Sequence, residues 1–148
     1  MAASAFSIFK TAKGYIGDGT IDLDTDAFKI CFFQTIPTLS AGLTSTYTAL
    51  AAGATEVAAS GGYPTGGESL TSVVWTTGAS AGQHKFDAAD YVLTASGDTI
   101  TNIKYAVIYE VGSSKLLAYS KLSTAAFTLA SGNTMTVQFN ASGIFTLA

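Results

Sequence analysis

The sequence predicts an all-β chain, an antiparallel sandwich or barrel of about nine short strands. Three observations lead there. From residue 68 onward, short apolar segments follow one another at close spacing, with no strong helical pattern among them. The separators between them, "TGASAG", "ASGD", "VGSS" and "ASGN", are turn chemistry. Within the segments the side chains alternate. Tyr105, Val107, Tyr109 and Val111 interleave with Lys104, Ala106, Ile108 and Glu110, and Met135, Val137 and Phe139 with Thr134, Thr136 and Gln138. A period of two is the mark of a strand with one face in the core.

In chain order, residues 4–13 ("SAFSIFKTAK") place Phe6, Phe9, Lys10 and Lys13 at helical spacings. They predict a short amphipathic helix or arm, stopped at "GYIGDG" and contained in residues 1–19. Residues 27–35, "AFKICFFQT", are a strand with Phe28, Ile30 and Phe32 on one face and Lys29, Cys31 and Phe33 on the other. Apolar groups on both faces make it a central strand. Residues 36–67 are rich in Gly, Ala, Thr and Ser without clear periodicity and are expected to form a long loop, with a helical turn in "YTALAAGATEVAA". In "SGGYPTGG" (60–67) two Gly pairs flank Tyr63 and Pro64 and propagate neither helix nor strand. A long loop in a compact domain is often a functional surface. The strands expected next are "ESLTSVVWTT", "QHKFDA", "YVLTA", "NIKYAVIYEV", "KLLAYSKL", "AAFTLA", "TMTVQFN" and "GIFTL". No shift of composition and no internal repeat marks a second domain, so residues 1–148 read as one.

A domain of 148 residues buries roughly 70% of its unfolded surface, enough for a core without disulfide or metal. Charged residues make up 11%, against roughly 25% in a typical soluble domain, and the polar remainder is mainly Thr, Ser and Gly. Such a neutral, hydroxyl-rich surface suits packing against copies of itself or a partner. All seven basic residues are Lys. Arg, the residue best suited to bidentate phosphate and guanine recognition, is absent. With a net charge of -3, nucleic-acid binding is not expected. No apolar run approaches the ~20 residues of a membrane span, and "MAASAFSIFK" lacks the basic region and sustained apolar stretch of a signal peptide. Cys31, the single cysteine, lies in an apolar run and is expected to be a buried, inert thiol.

The densest group of ionisable residues is "DLDTD", with Asp22, Asp24 and Asp26 at alternate positions. A calcium loop of the EF-hand type needs Gly at its sixth position and Glu at its twelfth. Counted from Asp22 these are Ala27 and Phe33, so the loop neither turns nor closes round an ion. If the segment is extended, its carboxylates lie on one face about 6.6 Å apart and hold a cation only with help from elsewhere. A solvated polar start to the strand at Ala27 is the favoured reading, its repelling acids also discouraging edge pairing. His84 is the only histidine, which excludes a site built from several. A Ser-His-Asp triad with Asp87 or Asp90 has no "GxSxG" elbow to select its nucleophile. "GGYPTGGES" lacks the Lys-Ser/Thr ending of a P-loop, and "GYIGDG" has the wrong spacing for a dinucleotide fingerprint. Trp75 and the tyrosines are candidates for a sugar-stacking platform, although aromatics alternating in strands are more often core. No catalytic residue, cofactor or metal is assigned.

"HKFDAADYVLTASGDTITNIKYAVIYEVGSSKLLAYSKLS", with "LASGNTMTVQFNASGIFTL" after it, resembles a family of small structural proteins of tailed bacteriophages. "IFKTAKGYIGDGTIDLDTDAFKICFF" is similar to that family's opening, a short helix leading into "IDLDTD" and a strand, and "GGYPTGGESL" to its central glycine-rich loop. The likeness spans nearly the whole chain and is weakest at 36–60. It implies a jelly-roll-type sandwich of eight or nine strands with a short N-terminal helix or arm. It also implies a capsid decoration or cement protein, a homotrimer seated on the major capsid protein at the outer head surface, made in the bacterial host cytoplasm and carried in the virion. Such a protein is no enzyme and needs no cofactor. The Ala/Gly-rich centre and the missing Arg depart from the family's pattern. The contact residues expected are Phe6, Ile8 and Phe9 of the arm, then Tyr63 and Pro64 of the loop. The competing expectation for the arm is a cap over the open end of the sandwich. The rival functions are a tail, collar or head-fibre component on the same scaffold, a carbohydrate-binding module using Trp75, and an esterase-like hydrolase using His84.

Overall fold

The computed structural model of the chain describes residues 4–36 and 45–148. The first half carries β1 (Ser7–Ile8), α1 (Ala12–Gly17), β2 (Phe28–Thr35), α2 (Tyr47–Gly53), β3 (Thr55–Glu56) and β4 (Glu68–Ser69). The second half is all strand: β5 (Val74–Thr77), β6 (His84–Asp87), β7 (Tyr91–Thr94), β8 (Ile100–Ile103) and β9 (Tyr105–Glu110), then β10 (Leu116–Lys121), β11 (Phe127–Leu129), β12 (Thr134–Val137) and β13 (Phe145–Leu147). The fold is mostly β and its sheets are antiparallel, as the alternation predicts.

The largest sheet runs β1-β10-β9-β2-β3, and β4 shares the same edge of β2 as β3. The other pairs nest around the β9–β10 hairpin: β8 with β11, β7 with β12, β6 with β13. The chain thus travels out through β6 to β9, turns at 111–115, and returns antiparallel through β10 to β13. Aromatic rings from the nested strands cover one face of β2, Phe86 on Phe28 at 5.0 Å and Tyr91 on Phe32 at 5.9 Å. The opposite face receives α2, whose Tyr47 stacks on Tyr109 at 4.6 Å. One apolar cluster joins these layers, with Ile30, Cys31, Phe32 and Phe33 each 0% exposed. Cys31 is the buried thiol its setting predicts.

Four expectations need correction. Of the helix or arm expected over residues 4–13, the arm is what forms: Ser7 and Ile8 pair with Tyr119 and Ala118, and the helix begins only at Ala12 and runs to Gly17, into the "GYIGDG" expected to stop it. The free edge of β10 offers backbone partners, and these outweigh a helical spacing that only a handful of residues support. "NIKYAVIYEV" is broken at Lys104 into β8 and β9, and β9 is buried on both faces rather than one, because β2 and β10 flank it and both layers cover it. "ESLTSVVWTT" likewise splits into β4 and β5 around Ser72, whose φ is 52°. The expected loop at 36–67 is structured over much of its described part: α2, capped by Thr46 Oγ1 accepting from Ala49 N at 3.2 Å, and β3. Residues 37–44 of that loop and 1–3 of the arm lie outside the described residues.

The glycine pairs of 60–67 act as read. Gly61, Gly62, Gly66 and Gly67 all have positive φ. Gly67 is the tightest, since a Cβ there would sit 1.9 Å from the carbonyl oxygen of Ile30. Gly67→Ala therefore combines a left-handed backbone with a clash against a central strand. The expected outcome is a loss of at least about 2 kcal/mol in denaturant unfolding.

Candidate functional site

The expected contact residues divide between two places. In the arm, Ser4 N donates to Lys121 O at 2.9 Å and Phe9 N to Leu117 O at 3.0 Å, so the segment lies along β10 as an added edge strand. Phe6 and Ile8 are half-buried and line a groove of about 1260 Å³ that also takes in Phe127, Met135, Phe139 and Ile144. Among the described residues, no charged side chain lines it. The Phe6 ring meets Phe139 edge-on at 5.5 Å. Phe9 differs from its neighbours: it is buried, with its ring on Tyr119 at 4.8 Å, and so belongs to the core rather than to a contact surface. The register decides this, because Phe6 and Ile8 point to the groove while Phe9, one position on, packs against Tyr119. Met135 and Phe139 were legible only as core-facing alternation, Ile144 only as part of a strand, and nothing local separates a groove wall from a core.

The second place is the loop. Pro64 is exposed, but Tyr63 is 2% exposed and is not a contact residue. Its hydroxyl sits in the gap between β3 and β4, where β2 has no strand partner, and accepts from Phe32 N at 2.9 Å. It donates to Glu56 Oε1 at 3.2 Å, which also accepts from Gly66 N at 2.7 Å. Tyr47 OH donates to Glu56 Oε2 at 2.6 Å, and Tyr109 OH donates to Gly66 O at 2.8 Å. Burial raises all three phenols, with Glu56 and Cys31 adding to the rise, and Tyr109 is pushed up to about 12. They remain donors, and the Glu56 carboxylate accepts from Tyr47, Tyr63 and Gly66. This network is invisible in the sequence, where Glu56 is one acid in an Ala-rich stretch and its partners lie on α2 and on the glycine-rich loop.

A second carboxylate, Glu110, is buried and closes the β9–β10 turn by accepting from Gly112 N, Ser113 N and Ser113 Oγ. Burial pushes its pKa up, but the hydrogen bonds from Ser113 and Gly112 outweigh burial and leave it below its usual value.

The acids of "DLDTD" do not lead into the strand as an extended row. They form a turn in which Asp22 N donates to Asp26 Oδ2 at 2.7 Å, Asp24 N to Asp22 Oδ1 at 2.9 Å, and Asp26 N to Asp22 O at 3.0 Å. Two of the three carboxylates are thus engaged by their own backbone, which also holds Asp22 below the ordinary carboxylate range. Among the described residues no group of three His, Cys, Asp or Glu side chains is placed to hold a metal ion. The triad candidates are not brought together either. His84 stacks on Trp75 at 5.5 Å, Asp87 pairs with Lys85 at 3.0 Å, and Asp90 accepts from Phe139 N at 2.8 Å. Trp75 is half-buried, with His84 exposed beside it on the β5–β6 pair. No helix among the described residues is long and apolar enough to cross a membrane.

Compared with protein-family models, with curated proteins and with solved structures, the chain matches none.

Tyr63→Phe should leave Phe32 N–H buried and unpaired, at a cost of about 1–3 kcal/mol; chemical denaturation gives the loss, and faster amide exchange at Phe32 locates it. The lowered pKa of Glu110 gives a pH test. Its folded value lies below that of the unfolded chain, so it contributes stability above the ordinary glutamate pKa of 4.5, and that contribution is lost as pH falls through the folded value. Glu110→Gln should therefore lower the melting temperature near neutral pH and flatten its decline in acid.

Proposed function

We propose that the chain is a non-enzymatic structural protein of a tailed-phage virion, a decoration or cement protein that binds the outer face of the capsid as a homotrimer. The observation that carries the reading is the nested pairing of β6–β13, β7–β12, β8–β11 and β9–β10. A jelly roll is a long antiparallel hairpin, folded so that its successive pairs divide between two facing sheets. This connectivity supports the jelly-roll sandwich that the family resemblance implies. One departure is plain: β2 lies against the second edge of β9, extending the large sheet toward the arm and helices.

The physical rationale is linkage. A protein that binds only the assembled shell stabilises it by mass action, and many identical sites give avidity without any cofactor. A surface poor in charge and rich in Thr and Ser suits this packing, because little charge has to be stripped of water when it is covered. The partner in this reading is the major capsid protein, and the setting is the capsid surface of a particle assembled in the host cytoplasm. The same scaffold in a tail, collar or head fibre is the rival within the class. A second reading has one observation in its favour: Trp75 and His84 stack at a partly exposed sheet edge, which suits a sugar ring.

Light scattering of the purified protein should give three times the chain mass, and its addition should raise the temperature at which capsids break. Capsids that melt at the same temperature with and without it would remove the cement role. A higher closed ring or an open filament would point to tail or collar instead. Glycan binding by the parent protein that is lost on Trp75→Ala would establish the sugar reading, and a parent that binds no glycan removes it.

A further inference from the structure

We propose that the N-terminal arm is exchanged between copies, residues 4–9 of one chain lying along β10 of a second chain in the groove they wall here in their own. This rests on the self-association proposed above and identifies the element that joins the copies.

All the arm's principal contacts are to β10 and the groove, and none depends on which chain supplies it. Ser4 N donates to Lys121 O at 2.9 Å, Lys121 N donates to Ser4 Oγ at 3.0 Å, and Ser120 Oγ donates to Ser4 O at 2.5 Å. Ser7 and Ile8 pair with Tyr119 and Ala118, and Phe9 N reaches Leu117 O at 3.0 Å. The groove has no charged lining, and residues 4–9 carry no charge, with Phe6 and Ile8 turned into it. A second copy's arm is therefore an occupant whose fit this structure already displays.

The connection that folds the arm back is poorly made. At Lys10–Thr11 the chain reverses into α1, and Thr11 stands at the N-cap position with helical φ and ψ of -70° and -28°, making no side-chain cap. Its Oγ1 is buried without a hydrogen-bond partner, a state that disfavours the turn. A turn that leaves a buried hydroxyl unpaired is a weak hold on the element it carries, and opening it keeps all the arm's contacts to β10. The hydrogen bond from Ala12 N to Phe9 O, 3.0 Å across the turn, is what exchange gives up.

The test is a disulfide. The Oγ atoms of Ser4 and Ser120 are 3.4 Å apart, so Ser4→Cys with Ser120→Cys should oxidise to a bond between arm and β10, while Cys31, 0% exposed, stays out of reach. The oxidised protein is weighed by light scattering, then denatured and run without reductant. Exchange predicts covalently linked trimers as the main species and none from either single variant. An oligomer in solution whose chains run singly on the gel overturns exchange and leaves self-association standing. A monomer in solution whose chains run singly overturns both. If the double variant does not fold, Ser7→Cys with Tyr119→Cys, partners in register, is read in the same way.

Discussion

Residues 28–33 of β2 pack apolar side chains on both faces and meet neighbours along both edges, so their backbone N–H and C=O groups have no water to turn to. β9 satisfies one edge along six residues in register. The other edge is met piecemeal, by β3 near Phe33, by β4 near Ile30, and between them by the hydroxyl of Tyr63. Much else follows from that gap. The Tyr63 hydroxyl, as acceptor for Phe32, needs its own acceptor, and Glu56 provides it. Glu56 is then held by Tyr47 and Gly66, which ties α2 and the glycine loop to the same strand edge. Gly67 lies so close to Ile30 that only glycine fits. A loop that reads as surface is, at its centre, part of the sheet.

The contrast explains what the sequence made legible. β2 was readable because five apolar or aromatic residues in one short stretch demand burial whatever surrounds them. The hairpin strands were readable from alternation and from separators such as "ASGD" and "ASGN", where chain reversal is a local matter. The Tyr63–Glu56 network was not, because a side chain that replaces a strand has no period and its partners are set by tertiary contacts. The choice between helix and arm stayed open for a related reason: two residues of strand have no intrinsic preference, and the edge of β10 decided their conformation. The turn at "DLDTD" shows local chemistry working against periodicity. Alternate acids suggested an extended row, but Asp side chains close on nearby backbone N–H groups more readily than they stand in line.

For function, many of the carboxylates are already engaged within the fold. Glu56 and Glu110 spend their oxygens on the fold, and so do Asp22, Asp26 and Asp90. What is turned outward at the arm is an uncharged groove beside an uncharged edge strand. That division suits the adhesive role proposed above, since adhesion draws on shape and apolar area more than on poised ionisable groups.

The nested pairing also bears on how the chain reaches its fold. β6 and β13 are far apart in sequence, and closing that interval in one step would be entropically expensive and slow. Nesting removes the difficulty. The β9–β10 hairpin needs only the turn at 111–115, bound by Glu110, to close before any longer interval is bridged. β8 then meets β11 across an interval the hairpin has shortened, and β7–β12 and β6–β13 follow in the same way. An architecture dominated by distant contacts is thereby assembled as a series of near ones, zipped outward from a single buried carboxylate.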